Sequence, residues 1–214
     1  MSKAAASARQ PDVICMIQTM GVITDGGANM TSKVSKLRQE LPDREAIREC
    51  LFRYSRGVDR LDEAMIRSAY WPDAIDNHLN FVGTVDQFVA MAFPLMRHMD
   101  QAIHMIGNIL IDMHGDEADV ESYFWGIQRI AGAGGGKQDV IAAGRYLDRF
   151  TRRDDEWRIA QRMVMTDWFR DFPDSADWSK GLMGIAVKPG GRFPDDASYH
   201  LLRLFQDEVT SEPQ

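Results

Sequence analysis

Apolar residues first follow a helical rhythm and then, past residue 100, fall into long alternating runs. Ile47, Leu51, Tyr54 and Val58 recur at spacings of three and four, which places them on one helical face with Ser55 and Asp59 beside it. Ahead of them a short helix is expected over Ser32 to Glu40, and Pro42-Asp43 offers a stop followed by an N-cap for the next. Asp62 can cap a third helix carrying Met65, Ile66 and Ala69, ending before Trp71-Pro72 because proline disfavours a helical residue ahead of it. A strand near 74–80 follows. Gly83 turns the chain, and Thr84 or Asp86 starts a helix whose apolar side is Phe88, Val89, Met91, Ala92, Leu95 and Met96. The remainder reads as about four long strands, near 102–113, 118–131, 138–152 and 156–169, separated by turn-forming clusters. Helices followed by an antiparallel meander predict an α+β domain, a strongly bent sheet wrapped around N-terminal helices.

This organisation assigns residues 1–31 to a loosely ordered arm, 32–170 to the α+β domain and 171–214 to a C-terminal extension with a helix-like 197–205. A hydrophobic fraction of 44% over 214 residues is enough for a real core. The formal net charge of −7 argues against nucleic acid and anionic membranes as partners, since both repel an acidic surface. No apolar run approaches the roughly 20 residues of a membrane-spanning helix. Cys15 and Cys50 lie far apart without metal-type spacing, which suggests neither a disulfide framework nor a zinc site and fits a reducing cytoplasm.

Three other patterns carry no chemistry. Gly132 to Lys137 lacks the first glycine and the final Ser or Thr of a phosphate loop, and reads as a hairpin loop. The histidines lack metal-ligand spacing. Arg145, Arg149, Arg152 and Arg153 alternate with acids as a solvated face.

His104 stands inside Ala102-Ile103-His104-Met105-Ile106-Gly107-Asn108-Ile109-Leu110-Ile111, the most strand-like stretch of the chain. An imidazole there needs a partner or a task, and Asp59, with Tyr54 just before it, is the expected partner. The two would meet in a dry hollow between the concave sheet face and the first long helix. Period-two alternation puts Ile106, Asn108 and Leu110 on the face of His104, so Asn108 would add a polar group there. Among the aromatic residues, Trp125 and Phe88 are the first choices for substrate contact, followed by Trp71, Tyr123 and Trp168. The structural alternatives are Asp59 paired with Arg56 or Arg60, or capping the next helix, and His104 bonded to a backbone carbonyl.

The order Tyr54-Ser55-Arg56-Gly57-Val58-Asp59, Tyr70-Trp71-Pro72-Asp73-Ala74, His104 before Gly107-Asn108, Gly144 to Phe150 and Trp157-Arg158-Ile159 resembles the SnoaL-like branch of the nuclear transport factor 2 superfamily. The resemblance covers roughly residues 40 to 170. It implies a cone-shaped α+β barrel, no cofactor, a homodimer or homotrimer, and a lyase or isomerase acting on a cyclic or aromatic small molecule. It also implies His104 as base, Asp59 as its orienter and Tyr54 as proton donor or anchor. The lysine that dehydrochlorinases carry at the Tyr54 position is absent, as is the late-strand arginine of bile-acid dehydratases near Thr166. A noncatalytic binding or assembly module is the other reading that this fold permits.

Overall fold

The computed structural model describes residues 26–175 and 179–202, with side chains from residue 32. Most of the arm expected over 1–31 therefore lies outside the described residues. The chain divides into two compact units, 1–39 and 40–214, and the account below concerns the second.

Helix α1 (Gly26–Arg60) begins before the expected Ser32 and runs through Pro42, where a break was expected. Proline interrupts a helix by losing one amide and crowding the preceding turn. Here Leu41 and Pro42 face solvent, so water can reach the carbonyl that is released. Beyond it, Ile47, Cys50 and Leu51 are wholly buried, and burying each large aliphatic side chain contributes about 1.5–3 kcal/mol. Packing thus holds the helix where propensity would end it.

Asp62 caps α2 (Glu63–Ser68), accepting the Met65 amide at 2.9 Å, as its position before an apolar pair predicts. Strand β1 (Tyr70–His78) starts earlier than expected and turns at Leu79-Asn80 into a short β2 (Phe81–Thr84). Gly83 lies within that strand and does not make the turn. Thr84 and Gln87 form a reciprocal capping box for α3 (Val85–Arg97).

Four long strands follow: β3 (Gln101–His114), β4 (Glu117–Ala131), β5 (Lys137–Arg153) and β6 (Glu156–Pro173). In the glycine loop between β4 and β5, Gly135 and Gly136 take the left-handed conformation that side chains disfavour. The expected solvated arginine face is present as surface ion pairs of Arg145 with Asp167, Arg149 with Asp119 and Arg153 with Asp73. A short α4 (Ala197–Leu201) ends before the expected 205, because Leu202 is already extended. Residues 203–205 lie outside the described set.

The six strands make one curved sheet in the order β2-β1-β6-β5-β4-β3, antiparallel except that β1 and β6 run parallel. The helices cover its inward face through Ile47, Leu51, Tyr54 and Phe88, packed against Val120, Phe124, Tyr146 and Phe150. No described helix is long and apolar enough to cross a membrane.

Three bulges decide which side chains point inward. Asn108 is the extra residue on β3, with Gly107 opposite Tyr123 and Ile109 opposite Ser122, and its φ is +23°. The alternation therefore flips: Ile109 and Ile111 join the core, while Leu110 is 69% exposed. On β6, Gln161 pairs with Arg149 and Ile159 with Phe150, so Ala160 is extra and Arg162, not Gln161, turns inward. Further along, Trp168 pairs with Ala143 and Thr166 with Gly144, leaving Asp167 extra.

Candidate active site

Because β3 is the last strand of the sheet, one side of its backbone has no neighbouring strand. Helix α1 satisfies two of those groups. Arg44 donates to the Ile111 carbonyl at 2.9 Å, and the His104 amide donates to Asp59 Oδ2 at 2.9 Å. The lengths agree: Arg44 to Asp59 rises about 22 Å along a helix, and His104 to Ile111 spans about 23 Å along a strand. An antiparallel helix pinned near Ile111 thus delivers Asp59 to His104.

The second contact is between side chains, His104 Nδ1 to Asp59 Oδ1 at 2.6 Å. Both carboxylate oxygens are therefore engaged by one residue. A carboxylate only accepts, so Nδ1 carries the hydrogen and the Nε2 lone pair is left for other work. Both side chains are 10% exposed. Directly across the ladder stands Gly126, where an added Cβ would come within 3.3–3.4 Å of the ring's Cδ2 and Nε2. The absent side chain leaves the imidazole its place.

The C-terminal extension secures the end of α1. The last carbonyls of a helix lack helical partners, and here Arg192 donates to that of Asp59 at 2.9 Å and the Phe193 amide to that of Arg60 at 2.7 Å. Arg192 also reaches the Met99 carbonyl at 3.2 Å. Tyr199 is wholly buried and donates to Asp62 at 2.9 Å.

Asp59 and His104 open onto a depression of about 300 Å³, completed by Phe52, Ser55, Arg56, Arg60 and Ile106. The sequence places Ser55 beside Asp59 and Ile106 on the face of His104, but marks none of these five as a site residue. Phe52, Arg56 and Arg60 form one i, i+4 stripe on α1, beside the Ser55 and Asp59 stripe, and that spacing was the available signal. A larger trough, about 770 Å³, lies among Ile75, Val82, Leu110 and Met163 on the face away from the helices. His104 is not among its walls.

The dry hollow expected behind the helix is filled. Arg162 lies 4.2 Å from the ring centres of both Tyr54 and Tyr146, and it forks onto Asp148 at 2.8 and 2.7 Å. Tyr54 therefore belongs to this interior and does not line the depression with Asp59. Burial pushes its phenol up to about 12 against the pull of the Arg162 cation. Burial likewise raises Asp148, with Arg162 opposing.

The expected substrate-binding residues fall elsewhere as well. Asn108, in its bulge, is exposed. On β4 the buried positions are Ser122 and Phe124, so Tyr123 (45% exposed) and Trp125 (48%) face outward, as does Trp168 (47%). Phe88 is buried against His78, their rings stacked at 5.0 Å, and Trp71 is buried and bonded to the Thr151 carbonyl at 3.1 Å. Among the described residues no three His, Cys, Asp or Glu side chains are placed to hold a metal ion.

The fold recurs in solved structures. A Novosphingobium aromaticivorans protein provisionally named scytalone dehydratase is 21% identical, at a TM-score of 0.57 over 72% of this chain and 95% of its own. A hexachlorocyclohexane dehydrochlorinase, LinA type 2, is 20% identical at 0.57, over 71% and 97%. Its type 3 counterpart from Novosphingobium barchaimii is 18% identical at 0.54, over 70% and 97%. No curated protein matches the sequence. The model of the SnoaL-like domain matches residues 39–163, more than half of the chain, and the chain belongs to that family.

Proposed function

We propose that the chain is a lyase that acts on a small cyclic or aromatic substrate without a cofactor. It either removes a carbon-bound proton and expels water or halide, or removes the O–H proton of a hydroxymethyl group so that formaldehyde leaves and the C–C bond electrons stay on the substrate, which takes the proton back or expels an adjacent leaving group. The observation that carries this reading is the two-point contact between Asp59 and His104 beside an open depression. His104 Nε2 takes the proton, and Asp59 holds the tautomer and stabilises the imidazolium. The imidazolium then gives its proton to a departing hydroxyl, which leaves as water, or to the carbon that formaldehyde has left, whereas halide leaves as the anion and the imidazolium loses its proton to solvent. Support comes from the family and from the dehydratase and dehydrochlorinase names among similar structures. A volume of about 300 Å³ suits a single-ring compound better than a polycyclic one.

Incubation with hydroxylated diaryl, steroid and single-ring β-hydroxy compounds in deuterated water tests the reading. A lyase yields an alkene and a released fragment. An isomerase with the same base returns deuterium at a second carbon and releases nothing. Turnover undiminished in His104→Ala on every compound converted would refute the assignment.

Gly126→Ala checks the geometry separately. Its methyl must displace the imidazole by a few tenths of an ångström, which is expected to lower kcat about tenfold. Urea unfolding should show the fold retained. An unchanged kcat would mean that ring placement does not limit the reaction.

We also propose that copies of the chain associate as dimers or trimers through the outward sheet face that carries Tyr123, Trp125 and Trp168.

A further inference from the structure

Two walls of the depression are apolar, Phe52 on α1 and Ile106 on β3, and the same two elements carry Asp59 and His104. Arg60 is matched by the adjacent Asp59, and Arg56 is engaged with the Ser198 hydroxyl and the Tyr199 ring, which leaves the apolar walls to a ligand. Phe52 is the unusual one. It is 48% exposed on a helix that buries Ile47, Leu51 and Tyr54, and its ring meets no other aromatic ring and no cation among the described residues. A large apolar side chain turned to water is ordinary by itself. One that lines a concavity beside an imidazole whose Nε2 lone pair is uncommitted is placed to meet a ligand.

Element geometry sets the spacing. Phe52 precedes Asp59 by seven residues, two turns of α1, which puts both on one side of the helix about 10 Å apart. Ile106 follows His104 by two residues, on the same face of β3 and about 7 Å further on. Because α1 and β3 run antiparallel, both steps lead the same way from the dyad. A ring seated between Phe52 and Ile106 thus lies a short side chain's length from Nε2. Its own atoms do not meet the base.

We infer that the depression takes an uncharged arylalkyl compound: its single aromatic ring stacks on Phe52 against Ile106, and the atom that reacts at His104 is on the short side chain, not in the ring. Phe52 is then the residue that tells a flat ring from a saturated one. This narrows the substrate class of the lyase reading and rests on that reading only for which atom reacts; recognition of the ring does not need the base.

Titration of the full chain with 2-phenylethanol and with 2-cyclohexylethanol, followed by NMR, tests the inference. Burial of apolar area alone favours the saturated ring, the more apolar of the two, whereas stacking on an aromatic side chain favours the flat one. 2-Phenylethanol is expected to bind at least about threefold tighter. Phe52→Leu keeps an apolar wall without a π face and should bring that ratio to about one or below, while His104→Ala should leave it as in the wild type. Intermolecular NOEs should run from the bound ring to Phe52 and from the side-chain methylenes to the His104 ring. Equal affinity for the two alcohols, tighter binding of the saturated one, no binding of either, a ratio unchanged in Phe52→Leu, or NOEs in the reverse order would overturn the inference. Should Phe52→Leu fail to fold, the wild-type ratio and the NOEs decide alone. Loss of the flat-ring preference with turnover still dependent on His104 sinks this inference alone, whereas turnover surviving in His104→Ala with the preference intact sinks the lyase reading alone.

Discussion

Asp59→Asn is expected to lower turnover by about 10²–10⁴, the range over which a positioned base and its orienting partner act. Asp59 accepts two hydrogens from one residue, the His104 amide at 2.9 Å and the ring Nδ1 hydrogen at 2.6 Å. An asparagine offers one oxygen and one NH2 group, so whichever way it sits, a donor faces a donor. If the NH2 faces the ring, the tautomer inverts and the lone pair leaves Nε2. If it faces the backbone, an unsatisfied amide costs about 1–3 kcal/mol. In either case the substitute cannot stabilise an imidazolium. Steady-state kinetics on a substrate from the panel, with urea unfolding alongside, would show whether the loss lies in kcat. Wild-type kcat in this variant would exclude Asp59 from the reaction.

The largest loss of stability is expected from Arg162→Met. The guanidinium and the Asp148 carboxylate are both fully buried, and Asp76, also buried, receives the Tyr70 hydroxyl at 2.7 Å while Arg162 donates to that hydroxyl at 3.3 Å. Removing the only cation of this group leaves acids in the interior without a counter-charge, at about 3–5 kcal/mol. The signature is in the pH dependence. Burial already holds Asp148 above its ordinary value, and without Arg162 nothing opposes that rise. A carboxyl raised in the folded state favours folding below its unfolded value, and that contribution is lost as pH rises through the folded value. The variant should therefore weaken steadily as pH rises from about 5 to 8. Adding Asp148→Asn should recover much of the loss. Urea denaturation across that pH range checks both outcomes, and a flat profile would assign the cost to lost packing on Tyr54 and Tyr146.

The molecule was legible where local chemistry and periodicity agree. Asp62 and Thr84 announce their helices, and the β3 to β6 spans follow from the turn clusters between them. The meeting of Asp59 and His104 could be anticipated because each is a polar residue beside an apolar stripe that something must satisfy. Alternation misled where a bulge adds one residue. Asn108 moved Leu110 outward and itself into the open, and Ala160 brought Arg162 inside, which no period-two count allows. The propensity of Pro42 alone argues for a stop, whereas burial of Ile47 and Leu51 decides. Residue type alone favours the aromatics as substrate contacts, yet on β4 it is parity that separates buried Phe124 from exposed Tyr123 and Trp125. In the sequence Arg56 and Arg60 stand out only as possible partners of Asp59, because the groups they bond, the Ser198 hydroxyl and the Gly191 carbonyl, lie more than 130 residues away.

The family match ends at residue 163, while the groups that grip the last turn of α1 and orient its arginines come from residues 191 to 199. The contact between Asp59 and His104 is therefore held from both sides, by β3 within the matched segment and by residues downstream of it. A comparison limited to residues 39–163 would overlook what anchors the helix end that carries Asp59.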